Sequence, residues 1–105
     1  MPDYRVAPNK VTAYLLNPVS ETGGPKARYF MGYGFRPGQP ADFVSALLNH
    51  PVTAQLESID PTSPYGTKYV FRCSITAPNG GTPCIRTVWQ LRDGDYWLVT
   101  AYPGP

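Results

Sequence analysis

Arg86, Thr100 and Tyr102 lie in the segments CIRTVWQL and LVTAYPGP, near the end of a 105-residue chain. A guanidinium is a planar fork that takes two phosphate oxygens at once, and threonine and tyrosine hydroxyls can donate to the same group. Lys26, Lys68 and Arg72 supply further cations, and His50 is the single histidine. Its ordinary titration near neutrality makes it the default proton donor or acceptor. Metal-independent cleavage of RNA requires such residue types. A base takes the 2′-hydroxyl proton, cations and donors hold the pentacoordinate phosphate, and an acid protonates the departing 5′ oxygen. Each residue also has a structural reading. His50 precedes Pro51 at a helix end, where a histidine caps carbonyls. Lys26 suits a solvated first turn, Trp89 suits a core, and cations on the open face of a sheet are ordinary.

Composition narrows the field. Apolar residues at 42% and charged residues at 15% suit a folded domain, and the length bounds one domain, 1–105, with one modest core. There are no paired carboxylates, no nucleophile elbow, no phosphate-cradling glycine loop and no metal-ligand spacing. Cys73, Cys84 and one histidine cannot build a zinc site, so no metal and no cofactor is expected. The formal charge of +2 is too small to argue for a polyanion unless the cations cluster. No apolar run nears the roughly 20 residues that span a bilayer, so no membrane contact is expected. MPDYRVAPNK lacks the apolar region of a secretory signal. The expectation is therefore a cytoplasmic protein with reduced thiols, a Cys73–Cys84 disulfide being the alternative.

The elements that must position these residues follow from periodicity. Asn9 can cap a short helix carrying Val11, Tyr14 and Leu15, ended by Asn17-Pro18. Pro25 opens a second helix with Ala27, Phe30 and Met31 at helical spacing, and Gly34 ends it. A third runs from Pro40 to Asn49 with Phe43, Val44, Leu47 and Leu48 on one face, closed by His50-Pro51. The period then changes. VTAQLESI, KYVFRCSITA, CIRTVWQL and YWLVTAY read as strands separated by turn signals, with Glu57 on the polar parity of the first. The fold class expected is α+β: two to three N-terminal helices on one face of a four-stranded antiparallel sheet.

Alternation sorts the faces. Tyr69, Phe71, Cys73, Ile75, Ile85, Thr87, Trp89, Leu91, Trp97, Val99 and Ala101 are expected against the helices. Lys68, Arg72, Arg86, Arg92, Thr100 and Tyr102 are expected on the open face, with Val88 and Leu98 among them. A three-residue Arg92-Asp93-Gly94 loop pairs Trp89 with Trp97 and sets Arg86 opposite Thr100. A two-residue Asp93-Gly94 turn would instead shift the register by one and set Thr87 opposite Thr100. The three-residue loop is the one expected, because it pairs two tryptophans in the core.

Several segments together resemble a known family. YLLNP, GGPKARYF with a following GF, ALLNH, YGTKY, PNGG with a proline two residues on, IRTVW and LVTAYP occur in this order in small bacterial proteins described as a domain of unknown function. The resemblance covers roughly Lys10 to Pro103. Members occur alone or as C-terminal modules of secreted polymorphic toxins, the standalone ones often beside a small antitoxin. The order of elements is also similar, by fold analogy, to the Barnase–EndoU–Colicin–RelE group of RNase toxins. The family motif marks Lys26, His50, Tyr65, Gly66, Lys68, Arg86, Thr87, Trp89, Thr100 and Tyr102. Members often carry a basic residue where this chain has Gly81, so one phosphate contact is in doubt.

The resemblance and the residues together imply the toxin of a toxin–antitoxin pair, acting as a metal-independent endoribonuclease. The candidate catalytic residues are His50, Lys68, Arg86, Thr100 and Tyr102. Lys26, Arg72, Thr87 and Trp89 are the candidate substrate-binding residues. The partners implied are RNA and a small cognate antitoxin, with a homodimer left open. The rival reading is a non-catalytic protein-binding module, or the immunity partner of such a pair, anchored on Val88, Leu98 and Tyr102.

Overall fold

The computed structural model describes residues 3–7, 24–36, 38–62, 64 and 66–104. Its elements are β1 (Tyr4–Arg5), α1 (Gly24–Met31), α2 (Pro40–Thr53), β2 (Gln55–Asp60), β3 (Lys68–Ser74), β4 (Cys84–Arg92) and β5 (Asp95–Pro103). The strands form one sheet in the order β1-β5-β4-β3-β2, and β1 runs parallel to β5 while every other pairing is antiparallel. This corrects the expected four-stranded antiparallel sheet under two to three helices. The sheet has five strands and is mixed, with two helices among the described residues. β1 was not readable because two residues carry no period, and its partner lies some ninety positions along the chain. The helix expected between Asn9 and Asn17 lies outside the described residues.

α2 also runs further than expected, through His50-Pro51 to Thr53. Pro51 removes one helical hydrogen bond close to the end, and the final turn closes when the Ala54 N–H donates to the His50 carbonyl at 2.8 Å. VTAQLESI is therefore divided. Val52 belongs to the helix, the strand begins at Gln55, and all six β2 residues are exposed.

The β4–β5 hairpin turns on two residues, not on the expected three-residue Arg92-Asp93-Gly94 loop. Asp93 and Gly94 take φ of 52° and 84°, and Arg92 faces Asp95. Positive φ at both positions is what an Asp-Gly turn of the primed type requires, and its twist matches that of the strands. A bulge follows, with Trp89 opposite Leu98 but Val88 opposite Thr100, so that Val99 is the inserted residue. The two tryptophans therefore do not pair: Trp97 lies opposite Gln90 on the open face. The bulge reconciles Leu98 and Ala101, three apart, both buried at 4% and 0% exposure. It also keeps Thr100 and Tyr102 on the open face, now opposite Val88 and Arg86.

Between sheet and helices lies the core: Phe30 and Phe35 about Phe43, Leu47 from α2, and Phe71, Ile85, Trp89, Leu98 and Ala101 from the strands. Phe30 and Phe35 each place their ring 4.7 Å from that of Phe43. Each such ring taken from water contributes about 2 kcal/mol. Cys73 and Cys84 form a disulfide across β3 and β4, where reduced thiols were the expectation.

Candidate functional site

The open face is built in rows, since residues opposite one another in a ladder share a face. One row runs Arg72, Arg86, Tyr102 across β3, β4 and β5. The next runs Val70, Val88, Thr100, and the one beyond it Lys68, Gln90, Trp97. Rows lie about 7 Å apart along a strand. The sequence-derived cations Lys68, Arg72 and Arg86 and the hydroxyls of Thr100 and Tyr102 thus share one surface. Arg86 is the neighbour of Tyr102 rather than of Thr100.

Lys26 joins them from the first turn of α1. Its Nζ donates to Thr100 Oγ1 at 3.2 Å and stands 5.8 Å from the Tyr102 ring centre. Arg72 donates from Nε to the Gly104 carbonyl at 3.4 Å, and the Gly104 N–H donates to the Cys84 carbonyl at 3.0 Å. The chain can lie this close to β4 because residue 104 is glycine. A Cβ there would sit 2.8 Å from Arg86 Cγ and 3.0 Å from the Arg86 nitrogen.

Sequence reasoning missed Glu57. Arg86 grips it in a fork, Nε to Oε2 at 2.7 Å and Nη2 to Oε1 at 3.0 Å. The hydrogen bond from Arg86 is the main reason the Glu57 carboxyl ionises below its ordinary range, and the charges of Arg86 and Arg72 add to it. The same contact raises Arg86. Parity placed Glu57 on the polar side of its strand. Nothing local could show that β2 lies beside β3, which brings this acid to the arginines.

Lys68 sits farther along the face, opposite Gln90 and Asp60. The Asp60 carboxyl is held low chiefly by hydrogen bonds from Thr62, with Lys68 a smaller cause. At the hairpin end, Arg5 and Arg92 place their guanidinium carbons 5.9 Å and 5.5 Å from the Trp97 ring centre. Arg5 is also paired to Asp95 at 2.7 Å.

The other face holds a different set. Trp89 Nε1 donates to Thr87 Oγ1 at 2.8 Å, the Thr87 hydroxyl donates to His50 Nδ1 at 2.7 Å, and His50 Nε2 donates to the Cys73 carbonyl. A carbonyl can only accept, which fixes the proton on Nε2. Burial lowers the affinity of the ring for a second proton, and the bond to Cys73 opposes this more weakly. His50, Thr87 and Trp89 are 1%, 0% and 0% exposed. The sheet therefore separates His50 from Arg86, and Thr87 and Trp89 from the phosphate-binding candidates. An open cleft of about 450 Å³ flanks His50, between α2 and the end of β3, lined also by Asp42, Ser45, Asn49, Ser74 and Thr76.

Among the remaining motif positions, Tyr65 lies outside the described residues. Gly66 has φ of 124°, and a Cβ there would collide with the Leu91 carbonyl oxygen. At Gly81 a Cβ would come within 2.9 Å of the Tyr33 ring. Among the described residues no three His, Cys, Asp or Glu side chains converge as metal ligands. Nor, among the described residues, is any helix long and apolar enough to cross a membrane.

The same fold occurs in a chain of a solved complex, "Contact-dependent growth inhibition toxin - immunity protein complex from Klebsiella pneumoniae 342". That chain is 14% identical over 95% of this chain and 92% of its own length, with a TM-score of 0.71. At such identity the likeness is one of fold. No curated protein matches the sequence. Residues 2–105 match the family described as Domain of unknown function (DUF6883), and the chain belongs to that family.

Proposed function

We propose that this chain is the toxin member of a toxin and immunity-protein pair, and that it cleaves RNA without a metal on its helix-free face. The observation that carries this reading is the row Arg72, Arg86, Tyr102, with Lys26 and Thr100 beside it. Fold likeness to a chain from a toxin–immunity complex supports the general class.

In this reading a phosphate takes the fork of Arg86 in place of Glu57, with Arg72 on a second oxygen. Glu57, released but adjacent, accepts the 2′-hydroxyl proton as that oxygen bonds to phosphorus. The bond from phosphorus to the 5′ oxygen breaks, and the Lys26 ammonium protonates the leaving oxygen. Thr100 and Tyr102 orient the phosphate, and Lys68 holds the strand about 13 Å along β3. His50 keeps a structural task, because its ring is enclosed on the opposite face.

Induced expression followed by total-RNA analysis tests the proposal. Growth arrest with fragmented RNA, relieved by Arg86→Ala, is the expected outcome. Intact RNA in arrested or healthy cells overturns it. A second reading, a non-catalytic protein-binding module, draws on the exposed apolar side chains Val52, Leu56 and Ile59 rather than on Leu98, which is buried.

A further inference from the structure

The three large apolar side chains exposed among the described residues stand at one margin of the molecule. Val52 at the end of α2 is 73% exposed, and Leu56 and Ile59 on β2 are 48% and 52% exposed. β2 terminates the sheet and pairs with β3 alone. Terminal strands are ordinarily shielded by charges, proline or bulges. Gln55–Asp60 has no lysine or proline, and what it offers is the bulge and the acids Glu57 and Asp60, the first already engaged by Arg86. A bulge between Leu56 and Ser58 puts Leu56 and Ile59 on the same face, since they lie opposite Phe71 and Tyr69.

We infer that β2 pairs antiparallel with β2 of a second copy of this chain, with Leu56 opposite the partner's Ile59. The segment is complementary to its own reverse in that register alone. Gln55 then meets Asp60, Leu56 meets Ile59, and Glu57 meets Ser58, with no like charges opposed. A slip of one residue one way sets Glu57 against Glu57. A slip the other way sets Leu56 against Asp60 and Glu57 against Ile59. The remaining acid at the seam, Glu57, has its charge engaged by Arg86 at 2.7 Å and 3.0 Å. Two Leu–Ile pairs flank the dyad on the helix side, with Val52 of each copy nearby.

A dyad between antiparallel edge strands stands perpendicular to the sheet. Both helix-free faces consequently look the same way, and the Arg72–Arg86 rows of the two copies join one continuous surface. The pairing depends on β2 and holds whether or not that surface cleaves RNA.

Sedimentation equilibrium of the full chain across a wide concentration range tests the inference. A dimer is expected. Leu56→Lys and Gln55→Asp, each acting twice across the dyad, should weaken it by about tenfold or more, and Gln55→Lys should tighten it by facing Asp60. Circular dichroism checks that the variants fold. If Leu56→Lys does not, the two substitutions at exposed Gln55 decide. A chain that remains monomeric, including one that binds only a different protein along β2, overturns the inference. So does a dimer indifferent to the Gln55 substitutions.

Discussion

The two faces of the β3–β4–β5 sheet carry polar groups under opposite conditions. Behind it, buried Trp89, Thr87 and His50 form a chain of donors and acceptors that ends on the carbonyl of exposed Cys73. In front, Arg86 and Glu57 are bound as tightly in distance, yet their side chains remain 26% and 35% exposed. Buried partners cannot turn to water when one is lost, whereas partly exposed ones can. The back therefore has the character of a stability element, and the front that of a place where one partner can be exchanged for a ligand. Chemical type alone suggested the reverse for His50.

The contrast is broken most directly from the back. His50→Ala should cost about 3 kcal/mol in urea unfolding, because it opens a cavity and leaves the buried Thr87 hydroxyl without its acceptor. A loss below about 1 kcal/mol would place His50 outside the stability framework.

The disulfide links the two arrays, since Cys73 accepts from His50 and Cys84 accepts from the Gly104 N–H. Its eleven-residue separation implies that reduction removes about 3 kcal/mol by freeing the unfolded chain. Thiol titration under denaturing conditions, paired with unfolding before and after reduction, measures this.

Acidification separates the faces by pH. The His50 ring is neutral in the fold and resists protonation, whereas in the unfolded chain it gains a proton as pH falls through its ordinary value of 6.5. Stability should therefore be lost as pH drops below that value, until the folded ring itself is protonated. The Glu57–Arg86 contact acts lower. Its contribution is present above the ordinary carboxylate range and disappears as pH falls through the depressed value of Glu57. Imidazole resonances of the one histidine, followed with unfolding between about pH 7.5 and pH 3.5, resolve the two windows. A histidine that titrates at its ordinary value in the folded protein contradicts the enclosed ring.

The smallest effect on stability should come from the front. Arg86→Ala is expected to change unfolding by no more than about 1 kcal/mol. On the proposed activity its effect is large, about 100-fold or more in RNA cleavage. Equal losses of stability and activity would mean that Arg86 only supports the fold.

Much of this was legible in the chain. Gly24–Met31 and most of Pro40–Thr53 carry apolar side chains at helical spacing, and their capping and breaking residues lie close by. Four of the five strands announced themselves by alternation and by Asn-Gly, Asp-Gly and proline punctuation, the first of them starting three residues later than read. The cations of the open face followed from the parity of β3 and β4, which run without a break in register. β5 was harder, because one inserted residue reverses parity midway and no local rule marks where a bulge will fall. Parity on either side of Val99 points both ways, so Trp97 and Leu98 exchanged faces.

By itself the sequence determined the residue types available for phosphate chemistry, the change from helical to strand period, and the place, though not the type, of the turn that reverses β4 into β5. These depend on near neighbours, whose spacing is set by bond geometry. Tertiary structure decided which groups meet. It placed β1 along β5, brought Glu57 from β2 to Arg86, and enclosed His50 behind Thr87 and Trp89. Such pairings join positions tens of residues apart. What selects them is the burial of Phe30, Phe43, Leu47 and Trp89 against one another, a global optimum that no short stretch of chain encodes.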